Sequence, residues 1–581
     1  MCGIGGVSSK KISLITQKKI LKMNKYLAHR GPDDEGYFKS ANKIIMIHTR
    51  LAIIDIEGGA QPIENSDYTL TANGEIYNDI EIRKENKKYK YQTGSDSESI
   101  ISVYNNFGID GFKKLRGMFA FALFDKKKEE LIIGRDPFGI KPIYFCINDG
   151  SFIYSSEPQA IVKSKLFKPI IDENRVKELL QLQFCSGRET IFKGIYRLRP
   201  GEVLIIKDGK ISESHIVNKT KSLKKNIIND DDILEKLKES VSLHQRSDVP
   251  YGLFFSGGID STIVLYLMSL INTSVNSYSI IFPGQENEKK NIEGLCKKFK
   301  SSINFIEFNE NDFWELIPQT AKFFDDPVID YAILPTFKLA REAKKDLKVI
   351  LTGEGGDELF GGYGRYRSSM RKFFFKKRSF HKGIFSKIEE LSHYFSGWNY
   401  SIEEVRSKIN NLEFSELQKV QLLDFQEWLP NDLLIKLDRC LMAHGLEGRT
   451  PLIDTKLFSN FFLFPDNKKI NKGLGKYFIR DFLNNKIPFY DSFKKKSGFT
   501  VPLKLWLPKM CVELSRVLPK MECLKNIFPS EKIKDLCLSM KYNENAIIPV
   551  WRLTFYALWF IANMENKNVD GNTIDVLNEN I

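Results

Sequence analysis

The chain has 581 residues, 42% of them hydrophobic and 28% charged, with a formal net charge of +14; at ~100–200 residues per domain, this length predicts two to four domains of ordinary globular composition. No run approaches the ~18 consecutive apolar residues that span a bilayer, and Met1-Cys2-Gly3-Ile4-Gly5-Gly6 lacks the basic-then-apolar order of a signal peptide, so a cytoplasmic protein without membrane insertion is expected. Eight cysteines with no CxxC or Cys/His spacing, and seven scattered histidines, argue against a disulfide framework and a structural zinc site.

In chain order, helical stretches are few at first, near Ser13–Leu27 and Ser97–Asn106. From Lys43 to about Lys210, short apolar runs alternate with turn signals: Ile44–Ile47, Gly117–Phe124, Leu131–Ile133, Ile143–Ile147, Phe152–Tyr154 and Val203–Ile206. Such spacing predicts strands of a largely antiparallel sheet system. Lys219–Asp232 is polar and rich in Lys and Asn, a linker by composition. Beyond it the rhythm becomes strand then helix. Strands are predicted at Val249–Phe255, Ser277–Ile281, Ile303–Phe308 and Val349–Leu351, and helices at Ser261–Leu270, Lys289–Lys300, Asn311–Phe324 and Pro335–Ala343. That alternation builds a parallel sheet with helices on both faces and ligands at the carboxyl ends of its strands. From Arg365 onward the pattern is mostly helical. The densest basic cluster, Arg371–Arg378, is interleaved with phenylalanine, as a stretch touching a membrane surface or nucleic acid would be. Lysine is nevertheless spread along the whole chain, as on a solvated surface, and no helix-turn-helix, finger or RNA motif accompanies it, so nucleic acid is not an expected partner.

Cys2 becomes the first residue if Met1 is removed. Its α-amine, with an ordinary pKa of roughly 8, can then take the thiol proton directly or through a water. The alternative is a surface cysteine that happens to come second. Downstream follow His29-Arg30-Gly31-Pro32-Asp33, Arg50-Leu51-Ala52-Ile53-Ile54-Asp55, Gln61-Pro62, Asn73-Gly74-Glu75-Ile76-Tyr77-Asn78, Thr93-Gly94-Ser95-Asp96, Arg135-Asp136-Pro137-Phe138-Gly139 and Lys141-Pro142. In this order the motifs resemble the glutaminase domain of class II, N-terminal-nucleophile amidotransferases across the first ~200 residues. The resemblance implies that Asn73 and Gly74 donate to the oxyanion formed when Cys2 attacks the glutamine amide. It also implies that Arg50 clamps the α-carboxylate, with Asp96 pairing with the α-ammonium and Glu75 assisting. Asn-Gly is also a common hairpin turn, and these polar residues would then merely cap turns.

Phe254-Phe255-Ser256-Gly257-Gly258-Ile259-Asp260-Ser261 follows an apolar strand and opens a helix, a setting in which backbone N–H groups and the helix dipole hold an anion. It lacks the Gly-Lys-Ser/Thr ending of a Walker A loop and resembles the pyrophosphate loop of N-type ATP pyrophosphatases. A second loop, Thr352-Gly353-Glu354-Gly355-Gly356-Asp357-Glu358, follows the Val349–Leu351 strand. Its carboxylates would repel a polyphosphate unless a hard cation intervened, so Asp260 and Asp357 are the expected Mg²⁺ ligands. A solvated acidic loop is the alternative.

With further matches at Asp325-Asp326-Pro327, Asp432–Arg439, Leu446–Asp454 and Lys476-Tyr477-Phe478-Ile479-Arg480, the chain resembles the glutamine-hydrolysing asparagine synthetases essentially from end to end. That resemblance implies an α+β N-terminal-nucleophile sandwich over residues 1–215. Residues 216–581 would form an α/β Rossmann-like ATP pyrophosphatase domain with a helical C-terminal part. It implies ATP and Mg²⁺ as cofactors, and L-glutamine and L-aspartate, or another carboxylate, as substrates. Adenine would lie against the backbone of Phe254, Ile280, Thr352 and Gly353, with phosphates on Ser256, Gly257, Gly258, Asp260 and Ser261. Glu354 would guide ammonia onto the acyl-adenylate, and Lys476 would stabilise α-phosphate charge unless it merely caps its helix. Two departures bear on the acceptor. Thr352 stands where the family usually has Ser, and Lys496-Ser497-Gly498-Phe499-Thr500-Val501-Pro502 with Trp506 resembles paralogues that amidate other carboxylates, including sugar acids. An aspartate would want Glu358, or Asp325 to Asp330, for its ammonium and Arg449 or Lys496 for its carboxylate; a uronic acid would want the rings of Tyr363, Tyr366, Phe499 and Trp506. Oligomeric state stays open, a homodimer among the alternatives.

Overall fold

The computed structural model describes residues 2–217, 229–272, 274–371, 383–494 and 501–581. The first half is built on twelve strands: β1 (Gly3–Ser9), β2 (Asp34–Ser40), β3 (Ile44–Arg50), β4 (Ile63–Glu64), β5 (Tyr68–Ile76), β6 (Gly117–Asp125), β7 (Glu130–Arg135), β8 (Tyr144–Asn148), β9 (Ser151–Ser155), β10 (Tyr196–Arg197), β11 (Glu202–Lys207) and β12 (Lys210–Ile216). They form two antiparallel six-stranded sheets, ordered β10-β8-β9-β1-β3-β2 and β12-β11-β7-β6-β5-β4. Side chains alternate faces along each strand. Ile4, Ile44, Met46, Phe152 and Tyr154 of one sheet therefore meet Ala120, Ala122, Phe124, Leu131 and Ile133 of the other in a dry sandwich core. Helix Glu98–Phe107 covers the outer face of the second sheet through Ile100, Ile101 and Val103, and helix Leu14–Leu27 contributes Ile20, Met23 and Leu27 on the outside of the first.

β1 was not expected from the sequence, since its run offers only Ile4 and Val7 among glycines and serines. It is nonetheless an interior strand, held in register by β3 on one side and β9 on the other, and it places Cys2 at the mouth of the sandwich.

In the second half, β13 (Tyr251–Phe254), β14 (Val275–Ile281), β15 (Ser301–Glu307), β16 (Val349–Leu351) and β17 (Glu447–Arg449) make an all-parallel sheet in the order β15-β14-β13-β16-β17. The chain runs outward from β13 to β15 and then crosses back to β16, so the strand order reverses between β13 and β16. Loops diverge there and leave a crevice at the carboxyl ends. Helices Ile259–Ser269, Glu286–Lys298, Glu310–Phe323 and Ile333–Ala343 occupy the expected places to within two or three residues. Of the expected linker only Asn229–Asp232 is described; Asn229 caps helix Asp230–His244 by accepting from the Asp232 N–H. All of the Arg371–Arg378 cluster beyond Arg371 lies outside the described residues.

Both halves share one apolar core, and charged pairs cross between them inside it. Arg30 donates to Asp438 as a matched fork at 2.8 and 2.9 Å and to Glu157 at 2.7 Å. Arg439 joins Asp438 to Asp325; Arg197 forks onto Asp326 and Arg116 onto Asp454. All of these side chains are buried. Among the described residues one helical stretch, Glu544–Asn563, is long and apolar enough to cross a membrane, but 83% of its most apolar 18-residue window is buried in this fold. Its Trp551 and Trp559 indoles donate to the Ile329 and Phe324 carbonyls at 2.9 and 2.7 Å. Trp559→Ala removes a fully buried ring and is expected to cost about 3–5 kcal/mol of stability, read as a lowered thermal midpoint.

Candidate active sites

Cys2 is 7% exposed. Its backbone N–H donates to Asn73 Oδ1 at 3.0 Å, and its carbonyl accepts from Arg30 Nε at 3.3 Å. The adjacent Gly3 N–H donates to Thr49 Oγ1. Asn73 Nδ2, the amide donor left over, is buried without a protein partner. A donor held bare in a dry pocket beside a thiol is what a developing oxyanion requires. Gly74 has φ +147°, and a Cβ there would overlap the Met118 carbonyl of β6, so no side chain can follow Asn73 at this point. Burial pushes the Cys2 thiol up, while the Leu51 backbone and Arg50 oppose the shift.

Arg50 closes β3 with its fork anchored on the Asp55 and Ile56 carbonyls, at 2.6 and 3.0 Å. Asp96 accepts from the Ile76 N–H at 2.6 Å, and burial pushes its carboxyl to about 6, with Glu447 adding to the shift. Glu75 is turned toward the second half, where Arg449 Nη2 donates to it at 3.2 Å. Burial and then Asp96 raise its carboxyl well above the usual range, and its second oxygen has no partner.

At the reversal point of the parallel sheet, Phe254 and Ile280 lie at the carboxyl ends of β13 and β14, and the loop after β13 turns at Gly257, φ +68°, into helix Ile259–Ser269. Ser256 and Ser261 hydroxyls lie 3.1 Å apart, and Ser261 Oγ donates to the Gly258 carbonyl, which fixes the loop over the helix N-terminus. Lys476 Nζ bridges Asp260 and Asp357, 2.7 Å from the latter. Burial disfavours its charge, but Asp260 and Asp357 outweigh that and raise its pKa. With φ +58° Lys476 is the N-cap residue of helix Tyr477–Lys486 by backbone alone, and its side chain goes to the two carboxylates rather than to the helix. Glycines make room for this cluster. A Cβ on Gly353 would lie 2.9 Å from Asp260 Cβ, one on Gly356 would overlap the Asp260 carboxylate and one on Gly362 that of Asp357.

Thr352 N–H donates to the Arg449 carbonyl at 2.9 Å, tying the acidic loop to β17. Glu354 faces Lys436 Nζ at 3.6 Å, and that ammonium also reaches Asp330 at 3.3 Å. Lys436 was given no role from sequence; its signal was a place among three charged residues, with Asp438 and Arg439, in a helix, Leu434–Met442, whose every residue is buried. Burial opposes its charge, and Glu354 and Asp330 restore it.

Several acceptor candidates fall away. Arg449 is wholly buried between Glu75 and Glu447 at the boundary of the halves, because Glu447 and Arg449 share the strand face turned toward the first half. Asp325 is engaged by Arg439 and Asp326 by Arg197. Trp506 packs in a ring cluster with Phe308 and Phe313, and Tyr366 is buried against Asp424. Glu358 accepts from Tyr363 at 2.6 Å, and burial and then Asp357 push it to about 8. Lys496 and Phe499 lie outside the described residues.

The chain joins a glutamine amidotransferase domain, with a buried cysteine at the mouth of its antiparallel sandwich, to an asparagine synthase domain with a crevice at the carboxyl ends of its parallel sheet. Residues 1–217 match the glutamine amidotransferase domain and residues 232–545 match asparagine synthase. The chain belongs to the asparagine synthase family, and its second half shares that family's dependence on ATP. It is 30% identical to asparagine synthetase (glutamine-hydrolysing) 1 of Bacillus subtilis (strain 168) over 98% of each chain. Identity is 28% to asparagine synthetase (glutamine-hydrolysing) 3 of the same organism, over 86% of this chain and 87% of that one. It is 27% to asparagine synthetase B (glutamine-hydrolysing) of Escherichia coli (strain K12), over 86% and 82%.

The elevated Asp96 carboxyl gives a pH prediction. With its pKa near 6, it is neutral below that pH and loses the charge that would attract an ammonium. KM for glutamine is expected to rise as pH falls through about 6, and Asp96→Asn to raise it at all pH values and abolish the inflection. Steady-state glutaminase kinetics from about pH 5 to 8 check this.

Proposed function

We propose that the protein is a glutamine-hydrolysing asparagine synthetase acting in the cytoplasm. It converts ATP, L-aspartate, L-glutamine and water to AMP, pyrophosphate, L-asparagine and L-glutamate. The observation that carries this reading is the pairing, in one fold, of the bare Asn73 amide beside Cys2 with the Asp260–Lys476–Asp357 cluster at the carboxyl edge of the sheet. The names of the similar proteins support the same reaction. Amidation of a uronic acid is the alternative, and of its four candidate rings Trp506 and Tyr366 are committed to packing.

In this mechanism Met1 is removed and the α-amine of Cys2 takes the thiol proton. The sulfur attacks the glutamine side-chain carbonyl carbon while Arg50 and Asp96 hold the charged ends of the substrate. The oxyanion accepts from Asn73 Nδ2 and the Gly74 N–H, ammonia leaves with the proton returned by the amine, and water cleaves the thioester to glutamate. In the second half, an aspartate side-chain oxygen attacks the α-phosphorus of ATP and pyrophosphate leaves. Lys476 offsets charge that develops on the phosphate oxygens. Ammonia, guided by Glu354, then attacks the acyl carbon and AMP leaves. Asp260 and Asp357 fit Mg²⁺: both are oxygen donors, one Asp260 oxygen is buried without a partner, and a hard cation would neutralise the phosphates beside them.

Cys2→Ala is expected to abolish glutamine hydrolysis and retain ammonia-dependent asparagine formation; loss of both in a folded variant would refute separate sites, and Met1 found on active enzyme by mass spectrometry would refute the amine as base. Asp260→Asn or Asp357→Asn should lower pyrophosphate release by about 100-fold or more and spare glutaminase activity. The defining experiment follows pyrophosphate with L-aspartate as the sole acceptor. Intact glutaminase with no aspartate-dependent pyrophosphate would leave an amidotransferase of another substrate.

A further inference from the structure

The groups that fix the cysteine pocket do not all belong to the half that contains it. Arg30 Nε donates to the Cys2 carbonyl, and its two terminal nitrogens meet Asp438 Oδ2 and Oδ1 at 2.8 and 2.9 Å, from a residue 408 positions away in the chain. Arg30 is wholly buried and Asp438 is 4% exposed, so water does not compete for these bonds. A guanidinium is planar and its five donors are rigidly related. Once Asp438 sets the fork, the direction of Nε is set too, and with it the position of the Cys2 backbone. Glu157 shares one fork nitrogen at 2.7 Å; without Asp438 it would be the remaining carboxylate partner of Arg30 and would draw the plane away from the cysteine.

A second link acts on the other side of the pocket. Arg449 donates to Glu75, two residues beyond Asn73, while its other nitrogens are committed to Glu447 and to the His244 and Arg246 carbonyls. The strand end bearing the oxyanion donors is thus held by a residue of the second half that is itself immobilised.

We infer that Asp438 and Arg449 are positioning residues for glutamine hydrolysis, Asp438 acting through Arg30 on Cys2 and Arg449 acting through Glu75 on the Asn73–Gly74 strand. The glutaminase site is therefore incomplete without the second half. This inference rests on the reading of Cys2 as the nucleophile. Its physical basis is the steep dependence of nucleophilic attack on alignment, where displacements of about 1 Å cost orders of magnitude in rate.

The test uses the full chain and three measurements: steady-state glutamine hydrolysis, the rate at which a diazoketone analogue of glutamine labels Cys2, and ammonia-dependent pyrophosphate release. Asp438→Asn keeps the volume and removes one acceptor and the charge; Arg449→Lys keeps the charge and removes the fork. Each is expected to lower kcat/KM for hydrolysis and the labelling rate by about tenfold or more, the scale of one charge-assisted hydrogen bond. Both variants should act mainly on kcat, since the groups they align act on the attack and its oxyanion rather than on ground-state binding, with ammonia-dependent synthesis within about twofold of wild type. If Asp438→Asn does not fold, Asp438→Glu, which keeps both oxygens but shifts them by one methylene, carries the same test. Unchanged hydrolysis, or an equal fall in ammonia-dependent synthesis, would overturn the inference alone. Full hydrolysis in Cys2→Ala would overturn the underlying reading as well.

Discussion

The arrangement depends on a buried seam of charge. Arg30 and Glu157 from the first half meet Asp438, Arg439 and Asp325 from the second, with Arg197–Asp326 and Arg116–Asp454 on either side. Removing such ions from water costs several kcal/mol each unless every one finds a partner. The shared apolar core supplies non-directional attraction, but it would tolerate sliding. The ion pairs do not, because any other register leaves a charge buried alone. Asp438 shows the balance: burial opposes its ionisation, yet Arg30 and then Arg439 hold its carboxyl below the usual range.

Both sites keep polar atoms buried and bare. Asn73 Nδ2, Glu75 Oε1 and Asp260 Oδ1 have no protein partner, and each such atom costs on the order of 1–3 kcal/mol of folding free energy. That cost is incurred once, during folding, and in the proposed reaction the Asn73 donor is then already in place when charge develops on the substrate. Lys476 answers the same problem differently: an ammonium between two carboxylates keeps their like charges close.

The second half was legible because strands buried on both faces read as apolar runs and the helices between them keep their own period. The loops of both sites were legible because glycine and polar residues in order after a strand have few other uses. β1 was not, for its extended form is imposed by β3 and β9 rather than by Gly3, Gly5 and Gly6. Charge partners were least legible. Arg449 stands in the sequence beside Lys496 as a candidate for the aspartate carboxylate, because sequence gives a charge but not its direction, and the Arg30–Asp438 pair spans most of the given sequence. Trp506 is in the sequence one of four candidate rings for a uronic acid, but its ring belongs to a core; an aromatic side chain serves either purpose equally well in sequence.

Apart from the short helix Thr573–Glu579, helix Ile547–Asn563 follows in chain order the elements it packs against. Its Asn563 accepts from Gln159 of the first half, its Arg552 donates to the Leu180 carbonyl, and its two indoles reach carbonyls beside Asp325 and Asp330. On a ribosome, therefore, the sandwich can be finished early, but the groove that receives this helix must wait, apolar and open, until synthesis has passed Asn563. The seam between the halves closes over that same wait. The step most exposed to aggregation thus comes after the strands of both halves have been made, and it is set by chain order rather than by the stability of the finished fold.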